Sequence, residues 1–339
     1  MELRYLNNSD KEAWEKLAQT SASGGFMQSW AWSRLKEGSG QKVLRLGLVH
    51  EGTLCGGAMV YTVESSLGAS PLLMPHGPVL PWHQPDIARR GLLLLEQECA
   101  ALAQKLNAPA LRVEPVLPPD IAAKFFPSAK RAPIDLVPTP SLVVDIGRSD
   151  AEILAGMKQK GRYHIKQAMR RGVEIVYGAS DDFVEEFYAL LELTGVRHRF
   201  PVEAKEFFCR LMEYLGPAGM ARVYLARYKG MATAAAIAIF YGANATYLYG
   251  ASSPFLPKLM SNYLLHWRMM QDARQCGCRA YDFYGIAPEG KPFHPYARFT
   301  EFKKKFGGKV VANAGAHDII FYGQLSELWL KQVDALYVA

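Results

Sequence analysis

The sequence predicts an α/β (α+β) protein of two domains, and three observations lead there. The chain has 339 residues, more than one hydrophobic core normally supports. Helical patterns alternate with short strands, some of them in hairpins, through both halves. The halves also rhyme: each carries a hairpin (44–61, 221–241), then a helix, then a strand ending in an acidic residue, Glu114 or Asp282.

Branched, apolar residues between Gly and Pro punctuation predict strands over 54–63 and 142–145. Leu, Ala and Cys recur at helical spacing over 89–106, giving an amphipathic helix that leads into the strand 110–114. The Pro-rich stretch 125–140 is weakly patterned and reads as a boundary, so domain 1 is expected over 1–145 and domain 2 over 146–314. A helix is predicted over 151–171, with Asp150 as N-cap and Gly172 as C-cap. Then follow a strand 173–177, helices 181–197 and 202–215, and a hairpin of 221–227 and 231–241. A strand 245–250, a helix 261–276 and a strand 280–284 complete the series.

Half the residues are hydrophobic and 21% are charged, the profile of a folded protein. A net charge of +7 favours an anionic partner without naming it. Five scattered cysteines suit reduced thiols, and Cys276-Gly-Cys278 lacks zinc spacing, so no metal is expected. The N-terminus carries no apolar signal core and no run is long enough to span a bilayer, so a cytoplasmic protein is expected, with contact to a membrane from the side still open.

The charge is concentrated. Lys158, Lys160, Arg162, Lys166, Arg170 and Arg171 lie in a stretch with no Asp or Glu between Glu152 and Glu174. A solvated helix face usually mixes signs, because paired charges one turn apart support it. Polyanions such as RNA or a pyrophosphate are the natural partners; a basic surface helix with counter-ions is the plainer alternative.

Ordered motifs then carry a resemblance. They are Met27-Gln-Ser-Trp30 with Trp32 and Lys36, Met74-Pro-His-Gly-Pro-Val79, Arg112-Val-Glu-Pro115, and Gly161-Arg-Tyr-His-Ile-Lys-Gln-Ala168. Thr194-Gly-Val-Arg197, Tyr247-Leu-Tyr-Gly-Ala-Ser252, Tyr281-Asp-Phe283 and Phe302-Lys-Lys-Lys-Phe-Gly-Gly308 follow. Together they resemble the FemABX family of peptidyltransferases, which move amino acids from aminoacyl-tRNA to the stem peptide of peptidoglycan precursors. The resemblance implies two GNAT-like (acyl-CoA N-acyltransferase-like) domains packed across a cleft, in the short FemX-type form without a coiled-coil arm. It also implies that residues 315–339 return to domain 1. The implied partners are aminoacyl-tRNA and UDP-MurNAc-pentapeptide or its lipid-linked form. No cofactor is needed, since ester to amide runs downhill.

That chemistry needs a proton acceptor for the amine and a partner for the oxyanion. Glu114 and Asp282, at strand ends, are the candidate bases, with capping or pairing to Arg as the structural alternative. The family motif assigns the oxyanion to Lys303, with Phe302 beside it. Read as a strand, this motif puts Lys303 and Lys305 on one face. Lys36 and Arg197 match family positions that grip the nucleotide end, with Arg199 a near alternative. Tyr247 and Tyr249, alternating about Leu248, are expected on one face, where they contact substrate or fill the core. The basic helix becomes the tRNA contact. Two rivals stay open: a GNAT-type N-acyltransferase with another acyl donor, against which stands the glycine-free stretch Ser253-Pro-Phe-Leu-Pro-Lys-Leu-Met260, and a non-catalytic RNA-binding protein on the same fold.

Overall fold

The computed structural model describes residues 1–62 and 70–321. Alternating apolar positions build two sheets, each in its own compact unit: Met1–Thr139 with the segment from Ala312, and Pro140–Val311.

The first unit opens with β1 (Glu2–Tyr5), α1 (Lys11–Thr20) and α2 (Trp30–Gly38). The antiparallel pair β2 (Val43–His50) and β3 (Thr53–Tyr61) follows, then β4 (Leu72–Pro75), α3 (Pro85–Leu106), β5 (Ala110–Glu114), α4 (Pro119–Phe125) and β6 (Lys130–Arg131). Proline at its first position and a left-handed Asn107 (φ 53°) at its end delimit α3. Its stripe of Ala88, Leu92, Leu95, Cys99 and Ala103 packs with Leu46, Leu48, Val60, Leu111 and Val113 of the sheet.

The second unit runs β7 (Ser141–Asp145), α5 (Asp150–Gly156), α6 (Gln159–Arg170), β8 (Glu174–Gly178), α7 (Asp181–His198) and α8 (Lys205–Leu215). It continues with β9 (Ala221–Tyr228), β10 (Met231–Tyr241), β11 (Asn244–Ser252), α9 (Ser261–Gln275), β12 (Ala280–Gly285), α10 (Ala297–Lys303) and β13 (Lys309–Val311). The chain then enters β14 (His317–Ile320), which pairs with β5 and β6 of the first sheet. Among the described residues the strand orders are β1-β2-β3-β4-β5-β14-β6 and β13-β7-β12-β11-β10-β9-β8. Residues 322–339 of the segment expected to return to domain 1, and the end of the strand expected over 54–63, lie outside the described residues.

Three expectations need correction. The strand at 141–145, placed before the domain boundary, belongs to the second sheet, where β7 pairs with both β12 and β13. The helix expected over 151–171 is two helices: Met157 and Lys158 are extended (ψ 152° and 149°), and Ser149, not Asp150, caps α5. A tertiary contact overrides helical propensity there. The Lys158 N–H donates to the Lys305 carbonyl at 3.0 Å, and a Cβ on Gly161 would stand 2.5 Å from that same oxygen. Finally, the Phe302–Phe306 motif is helical rather than extended, being the last turn of α10 and a 3₁₀ turn. Its close is set by Gly307 and Gly308 at φ 78° and 89°, where a side chain would meet the carbonyls of Gly156 and Val143.

Candidate active site

In the second unit, the helical turn that replaces the expected strand gives Lys303 a different setting from its neighbours. Lys303 is buried, whereas Lys304 and Lys305 keep partial access to solvent. Its Nζ donates to the carbonyl of Gly285 at 2.6 Å, and lies 5.7 Å from the ring centre of Tyr247 and 5.9 Å from that of Tyr296. An ammonium so enclosed is costly to keep charged. Burial pulls it down to about 8, and only the nearby Asp282 charge opposes that fall.

Asp282 is the reciprocal case. Burial pushes its carboxyl up to about 6, against the N–H of Tyr284 (2.7 Å), the Ser141 hydroxyl and the Lys303 charge. The backbone makes this possible: Tyr284 adopts φ 61°, so the chain turns back at the end of β12 and presents the Gly285 carbonyl to Lys303. A proton acceptor and a cation of adjustable charge thus sit together, an arrangement suited to acid–base work near neutral pH.

Phe302 does not contact these polar groups in the same way. It packs on Tyr263 (5.0 Å), His266 and Phe306 (both 5.4 Å), inside an aromatic cluster with Phe283 that anchors the turn. His266 was not singled out in the sequence. It is buried, bonds the Tyr281 hydroxyl at 2.8 Å through Nδ1, and meets the Tyr247 ring edge to face at 4.5 Å. Burial and then the Lys303 charge hold it well below the usual histidine range, so it stays neutral. Tyr296 was missed as well. No local pattern marks either residue: one lies in a buried helix stripe, the other in an irregular loop.

Tyr247 and Tyr249 do not share a face. Opposite β10, Ala238 pairs with Tyr247 but the adjacent Ile237 pairs with Tyr249, so Leu248 is the extra residue of a β-bulge. Tyr247 faces His266, Phe283 and Lys303. Tyr249 packs on Phe207 and Phe208 of α8. Gly250 is required by the first of these: a Cβ there would lie 1.7 Å from the Tyr247 hydroxyl.

Arg197 is exposed at the end of α7, and its guanidinium donates to Ser252 Oγ (3.0 Å) and His198 Nε2 (3.1 Å). Arg199 takes the left-handed position (φ 59°) that ends the helix. In the first unit, Lys36 of α2 lies over the Trp32 ring at 5.3 Å. Glu114 is buried and both its carboxylate oxygens accept backbone N–H groups, from Leu136 (3.1 Å) and Val137 (2.6 Å). Burial nonetheless lifts its carboxyl to about 7. Such a group ties a loop to the sheet. Glu114→Ala orphans two N–H groups and is expected to lower stability by about 1–3 kcal/mol; an unchanged urea midpoint would refute that role.

The basic helix is amphipathic. Gly161, Ile165 and Ala168 of α6 face the core, while Lys158, Lys160, Lys166, Arg170 and Arg171 are exposed. Arg162 departs from the expected set: its guanidinium is half-buried against the carbonyls of Leu154, in the last turn of α5, and of Met157 just beyond it. It caps that helix end instead of facing outward. The five exposed cations make no ion pair among the described residues.

Several motifs of the first unit hold the fold. The Gln28 amide donates to the carbonyls of Met59 and Pro75 and accepts from the Met59 N–H. Arg112 forms a buried two-pronged pair with Asp318 at 2.8 and 2.9 Å, joining β5 to β14.

Residues 157–298 match the Acetyltransferase (GNAT) domain family. The chain is 19% identical over 420 aligned positions to a lipid II:glycine glycyltransferase of Staphylococcus aureus (strain MRSA252), covering 98% of this chain and 96% of that protein. Among solved structures, FemX matches with a TM-score of 0.86 at 18% identity, over 98% of this chain and 100% of that one. The tandem GNAT protein from the clavulanic acid biosynthesis pathway matches with a TM-score of 0.57 at 13% identity, over 95% and 100%. Between α7 and β9 stands a single helix, α8, and no longer arm. The likeness to the FemABX family read from the sequence therefore extends over nearly the whole chain, whose fold is that of two GNAT-like domains and is similar to FemX.

Proposed function

We propose that the protein is a peptidyltransferase that moves an aminoacyl group from aminoacyl-tRNA to the stem-peptide amine of a peptidoglycan precursor. Following the name of the S. aureus relatives, we take glycine as the donated residue and the lipid-linked precursor as acceptor. The observation that carries the reading is the enclosed pair of Lys303 and Asp282. The amine nitrogen attacks the ester carbonyl; Asp282 accepts the amine's proton and Lys303 stabilises the oxyanion. Collapse of the intermediate breaks the carbon–oxygen bond, and the terminal ribose oxygen of the tRNA leaves with the proton that Asp282 took from the amine. Enclosure raises the worth of each charge relative to water.

The exposed, unpaired cations of α6 support RNA as the donor's carrier, because phosphate contacts need charge and little else. Lys36 and Arg197 are assigned to the precursor's diphosphate and sugar, a role that suits the planar fork of arginine in particular. Incubation with a mixture of charged tRNAs and both precursor forms, followed by mass spectrometry, should find one amino acid in amide linkage on the stem peptide. Acyl transfer from coenzyme A with none from charged tRNA would overturn the reading.

A further inference from the structure

One exposed surface of the second unit is unused by this chemistry. Leu193 and Val196, one turn apart on α7, face solvent, and Val196 is 81% exposed. The left-handed Arg199 reverses the chain, and the Phe200 N–H returns to the Gly195 carbonyl at 3.2 Å, setting a third apolar side chain beside them. The loop leaving β11 joins the same place. Ser252 exchanges hydrogen bonds with Thr194 and receives one from Arg197. Three residues on, Phe255 is 77% exposed, with Leu256 next to it. Pro254 and Pro257 flank these two, and the Phe255 N–H is fixed on Ser253 Oγ at 3.2 Å. A constrained loop that points phenylalanine at water gains nothing within the chain.

The charges around these side chains decide what would cover them. Arg197, Arg199 and Lys258 lie on the same two segments, and Arg298 stands close enough to His198 to depress its basicity. The carboxylates of these segments are Glu192 and Glu203, so cations predominate. The five apolar side chains are all exposed, and arginine and lysine stand beside them in the sequence. That is the make-up of a surface that sits in a lipid headgroup layer, with apolar tips among the acyl chains and cations at the phosphates.

We propose that Leu193, Val196, Phe200, Phe255 and Leu256 form a docking surface for an anionic bilayer. It lies beside Arg197, and would set the second unit against the membrane that holds a lipid-linked acceptor. The purpose of the contact rests on the function proposed above, but the contact itself does not. Its test therefore uses vesicles without precursor or tRNA, and each idea can fail alone.

The full chain is sedimented with vesicles of phosphatidylglycerol and phosphatidylcholine in equal parts, at low salt and at about 1 M salt, where the Debye length is about 3 Å. Adhesion through α6 alone should vanish at high salt, whereas apolar insertion should persist. The variant Val196→Ser/Phe255→Ser is expected to lose the salt-resistant fraction by at least about tenfold. Val196→Leu/Phe255→Trp, which keeps the apolar area, should retain it. Complete release of the wild type by salt, or retention by the serine variant, overturns the proposal.

Discussion

Lys303→Met is expected to slow aminoacyl transfer by about 10²–10³-fold, the range seen when one oxyanion donor is removed. The protein should still fold. Methionine fills the same channel without a buried charge, and the loss is one donor to the Gly285 carbonyl, about 1–3 kcal/mol at most. Precursor affinity, measured by calorimetry, should not change, since the interaction is made to the oxyanion and not the ground state. The pH profile of the wild type follows from the same pair. Asp282 must be deprotonated to accept a proton, so activity should rise through about pH 6. Lys303 must be protonated to hold the oxyanion, so it should fall through about pH 8. In Lys303→Met the descending limb at about 8 should disappear. A variant with wild-type turnover, or one that keeps that limb, removes Lys303 from the chemistry.

Lys166→Glu/Arg170→Glu is the second large effect. Both side chains are exposed on α6, away from the Gly161–Ile165–Ala168 stripe that holds the helix to its core. Folding should survive the change. Each reversal removes one phosphate contact, so the slope of log affinity for tRNA against log salt should shrink by about 2. Fluorescence anisotropy with uncharged tRNA measures this without turnover. Arg162→Glu should differ in kind: its guanidinium closes the carbonyls of α5, so the loss should appear first in thermal stability. An unchanged salt slope in the double reversal would leave α6 a solvated surface helix.

Much of this architecture can be read directly from the chain. The pairs β2–β3 and β9–β10, the amphipathic α3 and the strand leading to Asp282 all announce themselves by period and punctuation, because local burial decides them. The site is legible only in part. The motif around Phe302 names the right lysine, but its conformation depends on the Gly161 approach and on two glycines at positive φ. Neither fact has a periodic signature. The break at Met157–Lys158 is hidden for the same reason: the segment's own propensity is helical, and a carbonyl from residue 305 interrupts it. His266 reaches Lys303 through tertiary packing between segments far apart in sequence, which no short window of residues contains, and Tyr296, just before α10, stands in an irregular loop without a periodic signature. Glu114 and Asp282 look alike as strand-end carboxylates. Only their partners, two backbone amides against a lysine's neighbourhood, tell them apart.

The inserted Leu248 has a consequence for how the protein can vary. In a regular strand the two tyrosines would crowd one side, and enlarging either would displace the other. With the insertion, Tyr249 belongs to the layer beneath α8 and Tyr247 to the floor around the ammonium. Substitutions at these two sites should add independently, even though the sites are separated by a single residue. The chemistry on one side can drift without loosening the scaffold on the other.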